Sequence, residues 1–323
     1  MEEQIETAIR PEPLSSVLLP VDDLESLQSV AVVVRQLSLA MTGRMKRIDL
    51  LHVVTGTFLA DLMRRIDIAS GETPSTEEMK SLHRKHLDSS VTPLLNQCRD
   101  TVQHHFGDIP LEVVVRDGDP AKVICDQSSR DTYSTMIMKR RNRAADPVKL
   151  IGSVVSGVMH RHTESTIYLV GDDPQVADGE LFKRCLIAVD ESPASLNGVQ
   201  EAASILSRVN DQIEQVYLVH VLDQSCYYDE DGENCMDASL TGQRALETAG
   251  NLLIDSGVDS GKIKTVIHFG RPGTVLAAEV NNCDATLVFL GRRDRSRMAQ
   301  VFLGSVCTDI IQNCRDRTLV LAS

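Results

Sequence analysis

The chain has 323 residues, enough for about two domains at roughly 150 residues each. Its 42% hydrophobic and 24% charged residues are those of a folded globular chain rather than a disordered or low-complexity one. A formal charge of −13 argues against nucleic-acid binding, and five Tyr, six Phe and no Trp leave no material for base-stacking platforms or aromatic sugar-binding strips.

In chain order, Val17 to Asp22 is a short apolar run ending in an acid, Leu27 to Leu39 carries a helical apolar pattern, and Ile48 to Val53 is a second apolar run containing His52. Phe58 to His105 holds two helical patterns interrupted by Gly71-Glu72-Thr73-Pro74. Val113 to Gly118 reads as a third strand, Thr135 to Met138 as a fourth, Ile151-Gly152-Ser153-Val154 opens another helix, and Thr166 to Val170 is a fifth strand. The polar run Asp172 to Gly179 reads as a linker.

The same order then repeats. Cys185 to Asp190, a helix over Ser195 to Val209, Val216 to Val221, Thr265 to Gly270, Thr286 to Leu290, Leu303-Gly304-Ser305-Val306 and Thr318 to Leu321 match the first series one by one. Asp22 and Asp190 are 168 residues apart, as are His52 and His220, whereas Gly118 and Gly270, and Gly152 and Gly304, are 152 apart. The first half therefore carries 16 extra residues, which fall within Phe58 to His105. Short apolar runs alternating with helical patterns predict βαβ units and a parallel sheet. The expected architecture is α/β: a tail over 1–13, one Rossmann-like domain over 14–171, a linker over 172–181 and a second such domain over 182–323, each a five-stranded, parallel-rich sheet flanked by helices.

In an open parallel sheet, ligands bind at the carboxyl ends of the strands near the switch in strand order. That edge holds Asp22 or Asp190 after strand one, Val53 or Val221 at the end of strand two, and the loop after strand four. In the second half this loop reads Gly291-Arg292-Arg293-Asp294-Arg295-Ser296-Arg297 and leads to Gly304-Ser305. A glycine at a strand end admits a close backbone approach, and Gly-Ser at a helix start presents free N–H groups and a hydroxyl to a phosphate.

These residues resemble the universal stress protein family in its tandem form, an adenine-nucleotide alpha hydrolase-like fold. The family's nucleotide-binding members carry Gly, two residues, Gly, nine residues, then Gly-Ser or Gly-Thr. Gly291, Asp294 and Gly304-Ser305 keep that spacing with Asp in the middle position, while Lys139, Asn142 and Gly152-Ser153 keep it with both leading glycines replaced. The resemblance implies an adenosine beside Ala188, Val189, Asp190 and Val221, and ribose and phosphates beside Gly291, Arg293, Gly304, Ser305 and Val306, with ATP and Mg²⁺ as the ligand. Asp294 would repel a triphosphate by about 1 kcal/mol, and Arg292, Arg293, Arg295 and Arg297 could offset it by pairing with phosphate. In the first half Asp22, Val53, Lys139, Asn142, Gly152 and Ser153 form the degenerate counterpart. The family's dimers use the last strand of each domain, so the resemblance implies that Thr166 to Val170 and Thr318 to Leu321 pair within one chain as a pseudo-dimer, with a further homodimer left open.

Other signals are weaker. Tyr228 to Glu233 has the wrong spacing for a calcium loop, Cys226 and Cys235 could oxidise to each other, and His83, His86, His160 and His162 lack partners at zinc-site spacing. Ser305 has no nucleophile elbow. Eight cysteines without a CxxC pair, an acidic start and no membrane-length apolar run lead to a cytoplasmic expectation without membrane or nucleic-acid partners. Three functions stand open: a non-catalytic stress-response regulator binding ATP in the second domain, a nucleotide-free interaction scaffold of the same fold, and a slow ATPase in which Asp294 is the one nameable acid.

Overall fold

A computed structural model describes residues 12–56, 75–106, 108–140, 151–171, 180–224, 233–292 and 304–323, the side chains of 233–236 excepted. Residues 1–11 of the expected tail, the linker at Asp172 to Gly179, the Cys226 loop and the basic stretches at 141–150 and 293–303 lie outside these residues.

In the first half, β1 (Ser16–Pro20), α1 (Leu24–Ala40) and β2 (Arg47–Val54) are followed by α2 (Thr76–His86), a π turn at Leu87–Val91 and α3 (Thr92–Phe106). Then come β3 (Leu111–Asp117), α4 (Pro120–Arg130), β4 (Thr135–Lys139), α5 (Ser153–Met159) and β5 (Thr166–Val170). The second half runs β6 (Arg184–Ala188), α6 (Pro193–Leu206), β7 (Gln215–Asp223), α7 (Glu233–Asp255), β8 (Ile263–Gly270), α8 (Pro272–Asn282), β9 (Leu287–Gly291), α9 (Ser305–Asn313) and β10 (Thr318–Ala322). Among the described residues, α2, the π turn and α3 stand where the second half has α7.

Helix starts follow local chemistry. Asp23 accepts from Ser26 N at α1, and Ser192 from Ser195 N at α6 with Pro193 at the first helical position. At α2, Ser75 and Glu78 form a reciprocal capping box.

All ten strands make one sheet, ordered β3-β2-β1-β4-β5-β10-β9-β6-β7-β8. Every neighbouring pair is parallel except β5 and β10, which run antiparallel with Leu169 opposite Leu319, Tyr168 opposite Val320 and Ile167 opposite Leu321. The two five-stranded sets expected from the sequence are joined by this one pairing, between the same two last strands that the resemblance implied. Helices cover both faces, so strands such as Thr135–Lys139 and Thr166–Val170 are buried on both sides and read as unbroken apolar runs. Each face has a core shared by the halves. Leu19, Val34, Leu50, Ile187, Ile205 and Phe289 pack on one side, and Leu18, Met136, Leu169, Leu186, Val288 and Leu319 on the other.

The seam also carries polar contacts. Glu201 of α6, buried, accepts from Tyr168 Oη at 2.7 Å and from Thr166 Oγ1 at 3.3 Å across the junction. Burial and then the Glu201 charge raise the Tyr168 phenol well above its ordinary value. Two arginines in equivalent places, 152 residues apart, cross the junction in opposite directions. Arg140 donates to the carbonyls of Ile311 and, at 3.0 Å, Cys314, while Arg292 donates to Thr163 O and, at 2.8 Å, to Ser323 Oγ. Gly171 packs so tightly on the backbone of the other half that a Cβ would lie 2.6 Å from the Asp316 carbonyl carbon.

Burial pushes the thiols of Cys98, Cys125 and Cys314 up from 9.0 to about 11. The unfolded chain loses these protons near pH 9 and the folded chain holds them nearly to pH 11, so the folded state binds more protons over that window. Unfolding free energy, measured by urea titration under reducing conditions, is expected to fall between pH 8 and pH 10.5. A constant or rising value would contradict the burial of these groups.

Candidate functional site

At the carboxyl ends of β6, β7 and β9 lies a cleft of about 570 Å³, a size typical of small-ligand sites. Its construction starts where β6 ends. The Val189 N–H continues the ladder to Val219 O, and His220 holds Val189 O through Nδ1 at 2.8 Å, which fixes the proton on that nitrogen. His52 makes the same contact to Val21 O at 2.9 Å in the first half. The repeated histidine thus pins the turn after the first strand of each half. The glycine at 242 in α7 makes room for the His220 ring, which a Cβ there would overlap.

Beyond Val189 the chain folds into a compact turn. Asp190 Oδ1 accepts from Ser192 N at 2.9 Å and from Ser192 Oγ at 2.5 Å, while Ser195 Oγ accepts from Asp190 N and donates to Ala188 O. Asp190 remains exposed at the cleft. Facing it are Val221 and Asp223 from β7, Gly291 at the end of β9, and Gly304, Ser305, Val306 and Cys307 at the start of α9. Gly304 is the N-cap of α9 and offers no side chain to its first amides, and the space where its Cβ would stand is open. Those amides and the positive end of the helix dipole face the cleft as an anion would require.

Of the second-half residues read from the sequence, Ala188, Val189, Asp190, Val221, Gly291, Gly304, Ser305 and Val306 line this one cleft. Arg293 and Asp294 lie outside the described residues. One expectation gains a second role and another changes. Gly291 is also needed for packing: a Cβ there would overlap the Ala194 carbonyl, and one on Gly198 would lie 3.2 Å from Gly291 N, so the two glycines seat α6 on the end of β9. Arg292, read as a loop charge able to offset Asp294, is buried, and its guanidinium is bonded to Thr163 and Ser323 instead.

Sequence reading missed Asp223, Ser192, Ser195 and Met159. Asp223 lies two residues beyond Val221 on the same face of β7, and the serines are legible as a helix cap. Met159 belongs to α5 of the first half and enters the wall of the cleft across the seam, a contact no local pattern encodes.

The first half builds the same edge differently. Asp22 and Ser153 are exposed, Val53 and Gly152 half-buried, and Gly152 caps α5 with φ −59° and ψ 146°, close to the −57° and 148° of Gly304. At the place of Gly291 stands Lys139, whose Nζ donates to Ser29 Oγ of α1 at 2.6 Å, and at the place of Gly198 stands Val30. The lysine stem and its ammonium occupy the ground that the paired glycines leave to helix packing in the second half. Asn142 lies outside the described residues. Among the described residues, no three His, Cys, Asp or Glu side chains gather as a metal site.

A mostly parallel α/β sheet with a helix N-terminus facing a cleft at the strand ends defines a Rossmann-like binding fold. Residues 181–321 match the sequence model of the universal stress protein family, so the second half of the chain is similar to that family. A universal stress protein of Synechocystis is 28% identical over 150 residues, 43% of this chain and 97% of that protein. One of Methanocaldococcus jannaschii is 26% identical over 152 residues, 45% of this chain and 86% of that protein. Among solved structures, a universal stress protein from Archaeoglobus fulgidus superposes with a TM-score of 0.65 at 18% identity, covering 96% of this chain and 98% of that one. A functionally unknown protein from Pseudomonas aeruginosa does so at 0.59 and 9%, covering 96% and 93%. These likenesses extend the fold, though not the site, to both halves.

If Gly291 serves packing, Gly291→Ala is expected to cost about 3 kcal/mol, at the upper end of overpacking penalties. Urea unfolding measures it; a loss within about 0.5 kcal/mol, the range of an ordinary surface substitution, would contradict the α6–β9 contact.

Proposed function

We propose that the second half binds one adenine nucleotide, ATP with Mg²⁺, and that the chain is a non-catalytic, cytoplasmic stress-response regulator whose two halves form an intramolecular pseudo-dimer. The observation that carries the reading is the convergence of Asp190, Val221, Gly291 and the N-terminus of α9 on one cleft. Ala188 and Val221 offer the apolar wall a purine needs, Asp190 an acceptor for a base or ribose donor, and the amides after Gly304 an anion cradle. The cation would enter with the triphosphate as its counter-ion. The first half, with Lys139 in place, carries no nucleotide in this reading. Among the described residues no helix is long and apolar enough to cross a membrane.

Calorimetric titration of the nucleotide-stripped full chain with Mg-ATP is expected to give saturable binding at about one per chain. Gly304→Asp should abolish it: aspartate is a favoured N-cap, so the helix forms, but its own carboxylate then takes the amides and repels the phosphates. Binding unaltered by Gly304→Asp would sink the site. No heat in the native chain but binding in Asp294→Gly would favour the nucleotide-free scaffold, and phosphate release above a buffer blank would favour the ATPase.

A further inference from the structure

We propose that the first half serves as a positioning frame for the cleft of the second, and that Arg140 is the residue through which it acts. The inference rests on the cleft being a binding site and assigns part of its construction to the half that carries no ligand.

Three first-half groups reach the site. Met159, buried, lines the cleft directly. The Thr163 carbonyl holds the guanidinium of Arg292, the residue that follows Gly291 and leads into the loop after β9. Arg140 approaches from the far side. Its side chain is wholly buried, and its two terminal nitrogens donate to Ile311 O and Cys314 O. Ile311 lies in the last turn of α9, and Cys314 is its C-cap.

Those carbonyls are among the ones a helix leaves without an intrahelical partner at its C-terminal end, where the dipole is negative. A planar guanidinium taking two of them fixes the axis of the helix as well as its end, which a single ammonium contact does not. The other end of the same helix is Gly304-Ser305, the candidate anion cradle. Spanning only Ser305–Asn313, α9 is about 13 Å long at 1.5 Å per residue, so an arginine that sets one end sets the other. Arg140 is therefore a positioning residue, and the pseudo-symmetric Arg292 returns the tie from the cleft to the first half.

The test uses the full chain as wild type, Arg140→Met, Arg140→Lys and Val102→Ala. Val102 is a buried residue of α3 in the same half, away from the seam, and its substitution reports plain destabilisation. Mg-ATP affinity is measured by calorimetry where each protein is folded by circular dichroism, and amide exchange is followed by mass spectrometry over 308–314. Arg140→Met is expected to weaken Mg-ATP binding about tenfold, within the usual range of inter-site coupling. It should also speed exchange over 308–314, with Arg140→Lys between it and wild type and Val102→Ala leaving both readouts as they are. Arg140→Met changing affinity and exchange no more than Val102→Ala would overturn the inference. If wild type takes no Mg-ATP, the nucleotide reading fails by itself, and exchange over 308–314 alone then decides whether Arg140 positions α9. If Arg140→Met does not fold, Arg140→Lys against Val102→Ala decides in the same way.

Discussion

The antiparallel pairing of β5 with β10 is the constraint on which the molecule depends. Each set of five parallel strands would otherwise end in an apolar edge, Thr166–Val170 in one half and Thr318–Ala322 in the other, with ladder groups open to any passing strand. Joining the two edges removes that hazard and makes both cores continuous across the chain. It also brings α5 of the first half against the cleft of the second. Because the joint is internal to one polypeptide, its integrity does not vary with protein concentration as a dimer's would.

Duplication within one chain frees the two halves to diverge, and the divergence follows the packing. In the second half Gly198 and Gly291 let α6 settle onto the end of β9, leaving an open cleft beside it. In the first half Val30 and Lys139 stand at those places, and the lysine reaches back to Ser29. The seam is equally uneven. Glu201 and Tyr168 make a buried hydrogen bond on one side, whereas their counterparts, Val33 and Val320, are both apolar. The arginine pair is kept in both directions. A buried guanidinium is tolerable only when carbonyls meet it, so each half must supply acceptors to the other.

Much of this was legible in the sequence. Strands buried on both faces read as short apolar runs, and His52 and His220, like Gly152 and Gly304, recur at fixed offsets because each repeats one local contact. The eight described second-half residues named in advance share a cleft, since strand ends and a helix start are local features that topology then gathers. What stayed hidden depends on contacts distant in sequence. Arg292 looked like one more charge in a basic loop, yet its partner, Thr163, is 129 residues away. Arg140 and Met159 carry no local mark of their roles, and nothing local shows that Gly291, besides lining the cleft, accommodates the backbone of α6.

The most direct test is a crystal structure of the full chain grown with Mg²⁺ and a non-hydrolysable ATP analogue. The account predicts the base between Asp190 and Val221, the phosphates at the amides following Gly304, and no nucleotide beside Lys139. Nucleotide bound only in the first half, or a second-half cleft still empty at saturating analogue, would contradict it.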